Sequence, residues 1–318
     1  MTNFFGGKVV QNELASEHLS LRFIERTIQS HHLSKPHRKK EKGCSRYMLY
    51  PVGFLKAAGE IMMQMDFIGP RYIKGDNTPI HFLSIRYVHP FKKQFFFRIK
   101  SQTTDEVLRI LSTIFFGLKM PLPDVVQQDN DSVFRGCLNE KGMVGRYIRW
   151  WCHNGVIVIF NAPRSPWNTG SVEGANSIFD RKFWQQFHFA SIEEVDAKLS
   201  EFVEAYSDYN AVTMFPERAL PRLRPLSKKL PDLPTLSQPY LFLLRIVHKD
   251  QFGYYTIEVL NRYITLPCKL KGQFVIVQVN MVEQWMKVWQ EQEDCTVLIR
   301  ARQEFKVCTG GFQKRKEV

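Results

Sequence analysis

Strand-like and helix-like patterns alternate along the middle of this chain, and the alternation predicts an α/β protein. Three observations carry that prediction. Apolar, β-branched and aromatic runs recur between residues 60 and 160, at MMQMDFIG, HFLSIRYV, QFFFRIK, VVQQ and GVIVIF. Segments of helical period fall among and after them, at 104–117, 143–153 and 191–210. Beyond a proline-rich stretch, residues 240–305 contain only short strand-like runs broken by Gly253, Asn261 and Gly272, the pattern of a small β-barrel.

Taken in order, residues 1–34 hold a helical hairpin about His18-Leu19-Ser20, with Ser20 as N-cap and Leu21, Ile24 and Ile28 on one apolar face. It resembles part of a helix-turn-helix. Residues 35–58 open with KPHRKKEKGCSR, a basic linker whose Arg38, Lys39 and Lys40 suit a phosphate backbone. Residues 59–212 are the α/β domain. Within it one strand runs into Asp66 and another into Asp129, and Gly117 ends the helix begun at Thr104. The last helix opens on the capping box Ser191–Glu194 and carries Ile192, Val195, Leu199, Phe202, Tyr206 and Tyr209 as its apolar stripe. Residues 213–239 are the proline-rich linker, 240–305 the small barrel, and 306–318 a disordered basic tail. Tyr254, Tyr255, Trp285 and Trp289 are expected in the barrel core.

The chain has 318 residues, with 44 Lys and Arg against 31 Asp and Glu, a net charge of +13. That balance points to a polyanionic partner such as nucleic acid. No apolar run approaches the length of a membrane span, and no signal peptide opens the chain. Six cysteines without a CxxC pair indicate reduced, mostly buried thiols in a cytoplasmic protein. Cys152-His153 sits at a helix end and is expected to be structural.

RSPWNTGSVEGANSIFDRKFW, residues 164–184, places Glu173 in the first turn of a helix whose Val172, Ala175, Phe179 and Phe183 form a buried face. An acid there complements the helix dipole, which is its ordinary reading. Two strand-end aspartates change the odds, because functional groups gather at strand ends in α/β sheets. Three carboxylates drawn together repel one another. Hard divalent cations, Mg²⁺ or Mn²⁺, relieve the repulsion. A pair of such ions serves phosphodiester chemistry.

MQMDFIGP, QQDNDSVFRG and SPWNTGSVEGAN, in this order and spacing, resemble the three motifs of the DDE integrase core found in insertion-sequence transposases and retroviral integrases. The resemblance implies an RNase H-like core, a preceding helix-turn-helix-like segment and a following SH3-like barrel. It implies two Mg²⁺ or Mn²⁺ ions held by Asp66, Asp129 and Glu173. It implies hydrolysis at element ends and transfer of the 3′-OH into target DNA by a homo-oligomer, cytoplasmic and nucleoid-associated. Asn130 would help shape the site and Pro166, Asn168 and Gly170 the loop before Glu173, and Asn130, Asn168, Asn176, Arg181 and Lys182 would meet DNA. No zinc is expected, since His31 and His32 lack a later Cys pair. Asp131 stands where the family has glycine, either as added charge or as a spare ligand. Two rival readings are a metal-dependent nuclease on the same fold and a non-catalytic DNA-binding derivative. A more remote one is an RNA-binding structural protein.

Overall fold

In parallel strands with both faces covered, a polar side chain has nowhere to go but a partner, and this governs the centre of the fold. The computed structural model describes residues 20–31, 50–89, 92–136, 140–209, 232–267, 270–292 and 295–309. The first half of the expected helical hairpin, the basic linker with Arg38, Lys39 and Lys40, and most of the proline-rich stretch lie outside these residues. No helix among the described residues is long and apolar enough to cross a membrane.

The protein is mixed α/β. β1 (Met62–Arg71), β2 (Ile80–His89) and β3 (Lys93–Ile99) form an antiparallel meander. β4 (Val125–Gln128) lies parallel to β1, and β5 (Ile157–Phe160) lies parallel to β4. Alternation along β1 and β2 sorts the layers. Met63, Met65, Leu83, Ile85 and Tyr87 face one side, where they pack on α3 (Thr104–Ser112, running on to Gly117) and α5 (Arg146–His153). Ile68 and Phe82 face the other, against α6 (Gly170–Phe179, running on to Trp184) and α7 (Ile192–Tyr209).

That second layer is an aromatic cluster. Phe82, Phe96, Phe179, Phe183 and Phe202 interlock with ring centroids 4.9–6.4 Å apart. Val172, Ala175, Phe179 and Phe183 are buried as their spacing predicts, as are Val195, Leu199, Phe202 and Tyr206 of α7. The Ser191 hydroxyl accepts from Glu194 N at 3.3 Å, and Glu194 returns to Ala190 N at 2.7 Å. Ser20 likewise accepts from Phe23 N at the start of α1 (Leu21–Ser30).

Several expectations are corrected. β1 does not end at Asp66 but continues to Arg71, because Phe67 and Ile68 keep packing in turn on the two sides. The strands after residue 239 do not form a unit apart from the core. β6 (Tyr240–Ile246) pairs parallel with β5, and β10 (Phe274–Asn280), β11 (Trp285–Glu291) and β12 (Thr296–Glu304) follow it. The result is one nine-stranded sheet ordered β12-β11-β10-β6-β5-β4-β1-β2-β3. Only β7 (His248–Lys249), β8 (Tyr255–Val259) and β9 (Arg262–Thr265) form a second sheet. The reason is apolar: β5 and β10 are buried almost end to end, so β6 must cover an edge on each side. Residues 306–309, placed in a disordered tail by composition, are ordered, with Cys308 N on Gly142 O at 2.9 Å and Val144 N on Cys308 O at 2.8 Å. Cys295 and Cys308 are exposed thiols, whereas Cys152 is buried as expected and its thiol is pushed well up by that burial. Tyr254 is exposed rather than core.

The N-terminal approach to β1 is also tied to the C-terminal strands. The Glu291 carboxylate of β11 accepts from Gly53 N at 2.8 Å and from Phe54 N, capping α2 (Val52–Ala57). Ending the chain at residue 239 would uncover the β5 edge and this cap together. We expect the truncated chain to aggregate or to lose its cooperative thermal transition, while the full chain melts cooperatively; a soluble, cooperatively melting truncation would contradict the shared sheet.

Candidate active site

Asp66 sits at the middle of β1 on the side that faces α6, because it shares the alternation of Gln64 and Ile68. Its Oδ1 accepts from Phe67 N at 2.9 Å and its Oδ2 from Asn176 Nδ2 at 2.8 Å. Asp129 follows β4 directly, and its Oδ1 accepts from Asp131 N at 3.1 Å. Glu173 stands in the first turn of α6. All three line one cavity of about 310 Å³, together with Asn130, Asn161 and Arg164.

A row of polar side chains beneath α6 fixes this arrangement. Gln64 and Arg86 are partners across β1 and β2, and Gln64 and Gln127 are partners across β1 and β4. Gln64 Oε1 accepts from Val172 N at 3.3 Å, and Arg86 Nε donates to Ser171 Oγ at 2.9 Å. Neighbouring strands thus grip the turn that carries Glu173. Gln64 Nε2 donates to Gln127 Oε1 at 2.8 Å, and Gln127 Nε2 reaches Tyr50 OH and Asn161 Oδ1, each at 2.8 Å. Asn168 is buried, and its carbonyl accepts from the same Gln127 amide at 3.2 Å.

The electrostatics follow from the crowding. Burial, then the neighbouring charges of Asp129 and Glu173, raise the Asp66 carboxyl from 3.8 to about 7, against the pull of Phe67 N and Asn176. Asp129 is open at the cavity mouth, yet enough protein surrounds it that desolvation raises its carboxyl, with Asp131 adding charge. The Asp131 Oδ1 accepts from Val133 N at 2.8 Å as the N-cap of α4 (Ser132–Arg135). With φ −57 it needs no glycine.

The structure therefore brings Asp66, Asp129, Glu173 and Asn130 together. The Asn176 side chain is engaged by Asp66, and Asn168 is buried and meets Gln127 through its backbone carbonyl. Arg181 is exposed and Lys182 half-buried on the turn after α6, and burial lowers the Lys182 ammonium. Sequence reasoning missed Gln64, Arg86, Gln127, Asn161, Arg164 and Arg245. Their signal was present in part: Gln64 precedes Asp66 by two residues and so shares its face, and Arg245 is a lone charge inside the apolar run YLFLLRIVH. Arg164 has a left-handed backbone, φ 57, costly for a residue other than glycine. It is exposed and forms no hydrogen bond or ion pair with the described residues.

Among the described residues no three His, Cys, Asp or Glu side chains form a closed metal-ligand group. The carboxylates instead border a shared space. As a donor set they fit a hard divalent cation, being oxygen-only and mutually repelling, with Asp66 and Asp129 each held by amide N–H groups. The chain matches no protein-family model, and no curated protein is significantly similar to it.

A carboxyl raised on folding favours the fold while protonated, so its contribution is intact below the unfolded value of 3.8 and is lost as pH climbs through about 7. A rise of that size corresponds to about 4 kcal/mol as an upper bound. Asp66→Asn, whose new amide can pair with a flipped Asn176, should therefore melt several degrees above the parent chain at pH 8. The gap should close toward pH 4, and millimolar Mg²⁺ should shrink it at pH 8 by stabilising the parent alone. Thermal melts at the two pH values, with and without Mg²⁺, check this.

Proposed function

We propose that this protein is a metal-dependent polynucleotidyl transferase of the DDE integrase type, acting on double-stranded DNA. The observation that carries the reading is the meeting of Asp66, Asp129 and Glu173 at one cavity, from a central strand, the end of its parallel neighbour and the first turn of α6. The strand order β3-β2-β1-β4-β5, antiparallel then parallel, supports an RNase H-like core. The later strands stand in for the expected SH3-like barrel, though four of them continue the sheet. A net charge of +13 suits a DNA partner.

In this reading Asp66, Asp129 and Glu173 hold the cations, while Asn176 orients Asp66 and the Gln64–Arg86 grip sets Glu173. Bound divalent ions supply Lewis acidity and charge neutralisation at the scissile phosphate. Arg164, on the cavity rim and without a partner among the described residues, binds a phosphate oxygen of the DNA. Hydrolysis at an element end leaves a 3′-OH, and attack of that hydroxyl on target DNA exchanges one phosphodiester for another. No covalent enzyme intermediate is needed. Work on two DNA ends calls for a homo-oligomer.

Linear DNA carrying the flanking element's ends, incubated with Mg²⁺, should yield specific 3′-OH ends and joined products. Asp66→Asn should lower that yield by at least about 100-fold, the equivalent of about 3 kcal/mol of lost transition-state stabilisation, without weakening DNA binding. Undiminished cleavage by the variant removes the assignment. Cleavage without joining favours the nuclease reading, and binding without chemistry the non-catalytic one. Arg164→Ala should raise KM for DNA by roughly tenfold with a smaller change in kcat, as expected for a lost charge-assisted phosphate contact. Steady-state kinetics on the same substrate read this directly.

A further inference from the structure

Arg245 lies within β6 and is 1% exposed, a full charge in a strand otherwise built of Tyr, Leu, Phe and Ile. A buried charge survives only where its donors are consumed. Its Nε donates to Glu258 O at 2.6 Å and its Nη1 to Leu244 O at 2.8 Å. Nη1 also donates to Asn161 O at 3.1 Å, and Nη2 donates to Asn130 Oδ1 at 3.1 Å. The Glu258 carboxylate lies 3.8 Å away and is shared with Arg135.

Two of those acceptors belong to the carboxylate cavity. Asn130 Nδ2 donates to Asn161 O at 2.7 Å, so the Asn130 amide is held at both its oxygen and its nitrogen. On the other side of Asp129, Asn161 N donates to Gln128 O at 2.8 Å. Asp129 is thus the one residue between two tethered neighbours, both tied to Asn161. Arg245 closes the tie from a strand more than a hundred residues away.

We infer that Arg245 is a positioning residue for Asp129: by locking Asn130 onto Asn161 it makes the strands after residue 239 a working part of the carboxylate site. What Asp129 does rests on the proposed reaction; the lock itself does not. Arginine suits the place because its planar fork spreads its donors over three nitrogens, Nε, Nη1 and Nη2, each on its own acceptors, whereas the three donors of a lysine ammonium all leave one nitrogen.

Arg245→Lys is compared with Arg135→Lys in the full chain. Arg135 is also buried and also bonds Glu258, but none of its side-chain hydrogen bonds goes to Asn130 or Asn161. The readouts are hydrogen exchange of the Asn130 side-chain amide by NMR, half-saturation by Mn²⁺ from its electron-spin signal, and melting temperature. Arg245→Lys should accelerate Asn130 amide exchange and raise the Mn²⁺ half-saturation by about tenfold, the usual size of an outer-shell effect on metal affinity. Arg135→Lys should lower the melting temperature comparably and leave both other readouts near the parent values. Equal behaviour of the two variants in exchange and Mn²⁺ half-saturation overturns the inference and leaves Arg245 a purely structural residue. Should Arg245→Lys fail to fold, Asn130→Ala breaks the same bond from the other side and must reproduce the Mn²⁺ defect, or the inference falls. A parent chain that takes up no Mn²⁺ and cuts no DNA defeats the functional reading alone, and amide exchange still decides the lock.

Discussion

The row formed by half-buried Arg86 and buried Gln64, Gln127 and Asn161, running across β2, β1, β4 and the end of β5, is the interaction on which the rest of the site depends. Each member is a polar group in a sheet covered on both faces, where an unpaired donor or acceptor costs about 1–3 kcal/mol. The Gln64–Gln127 and Gln127–Asn161 bonds, with those of Arg86 to Ser171 and Tyr206, offset that cost and set direction as well. Ser171 and Val172 can dock only where Arg86 and Gln64 meet them, and that fixes where Glu173 begins its turn. The aromatic cluster of Phe82, Phe179, Phe183 and Phe202 then holds the rest of α6 down by burial. Direction comes from the polar row, and most of the adhesion from the rings.

The same region holds polar groups at a cost. Asp66 is held near two other carboxylates at a cost to its own ionisation. Asn161, Asn168 and Asn176 each keep a buried amide atom without a partner among the described residues. Arg164 holds a left-handed backbone at the rim. Of these, Asp66, Asn161 and Arg164 line the same cavity.

The continuous sheet gives the C-terminal strands a second part to play. β6 shields the hydrophobic edge of β5, and through Arg245 it reaches the loop ends that carry Asp129 and Asn161. β11 caps the helix that leads into β1. Regions separated by a proline-rich stretch are therefore bound by both apolar pairing and directed hydrogen bonds.

Local chemistry determined much of this protein in advance. Period-2 and helical spacing marked the α/β alternation, the Ser20 and Ser191 caps and the buried faces of α6 and α7, because side-chain burial follows directly from backbone period. The acids at 66, 129 and 173 stood out by motif, and the fold places them around one space. Tertiary structure alone decided the remainder. Asn176 reads in sequence as one more polar residue on the helix face, and only the fold sets its amide on Asp66, since a polar side chain's direction is set by its partner rather than by its spacing. Asp131 reads as a misplaced charge until Val133 N makes it a helix cap. A strand's partner is a long-range choice that local pattern does not encode, so only the folded sheet could join β6 to β5 and carry Arg245 to Asn130.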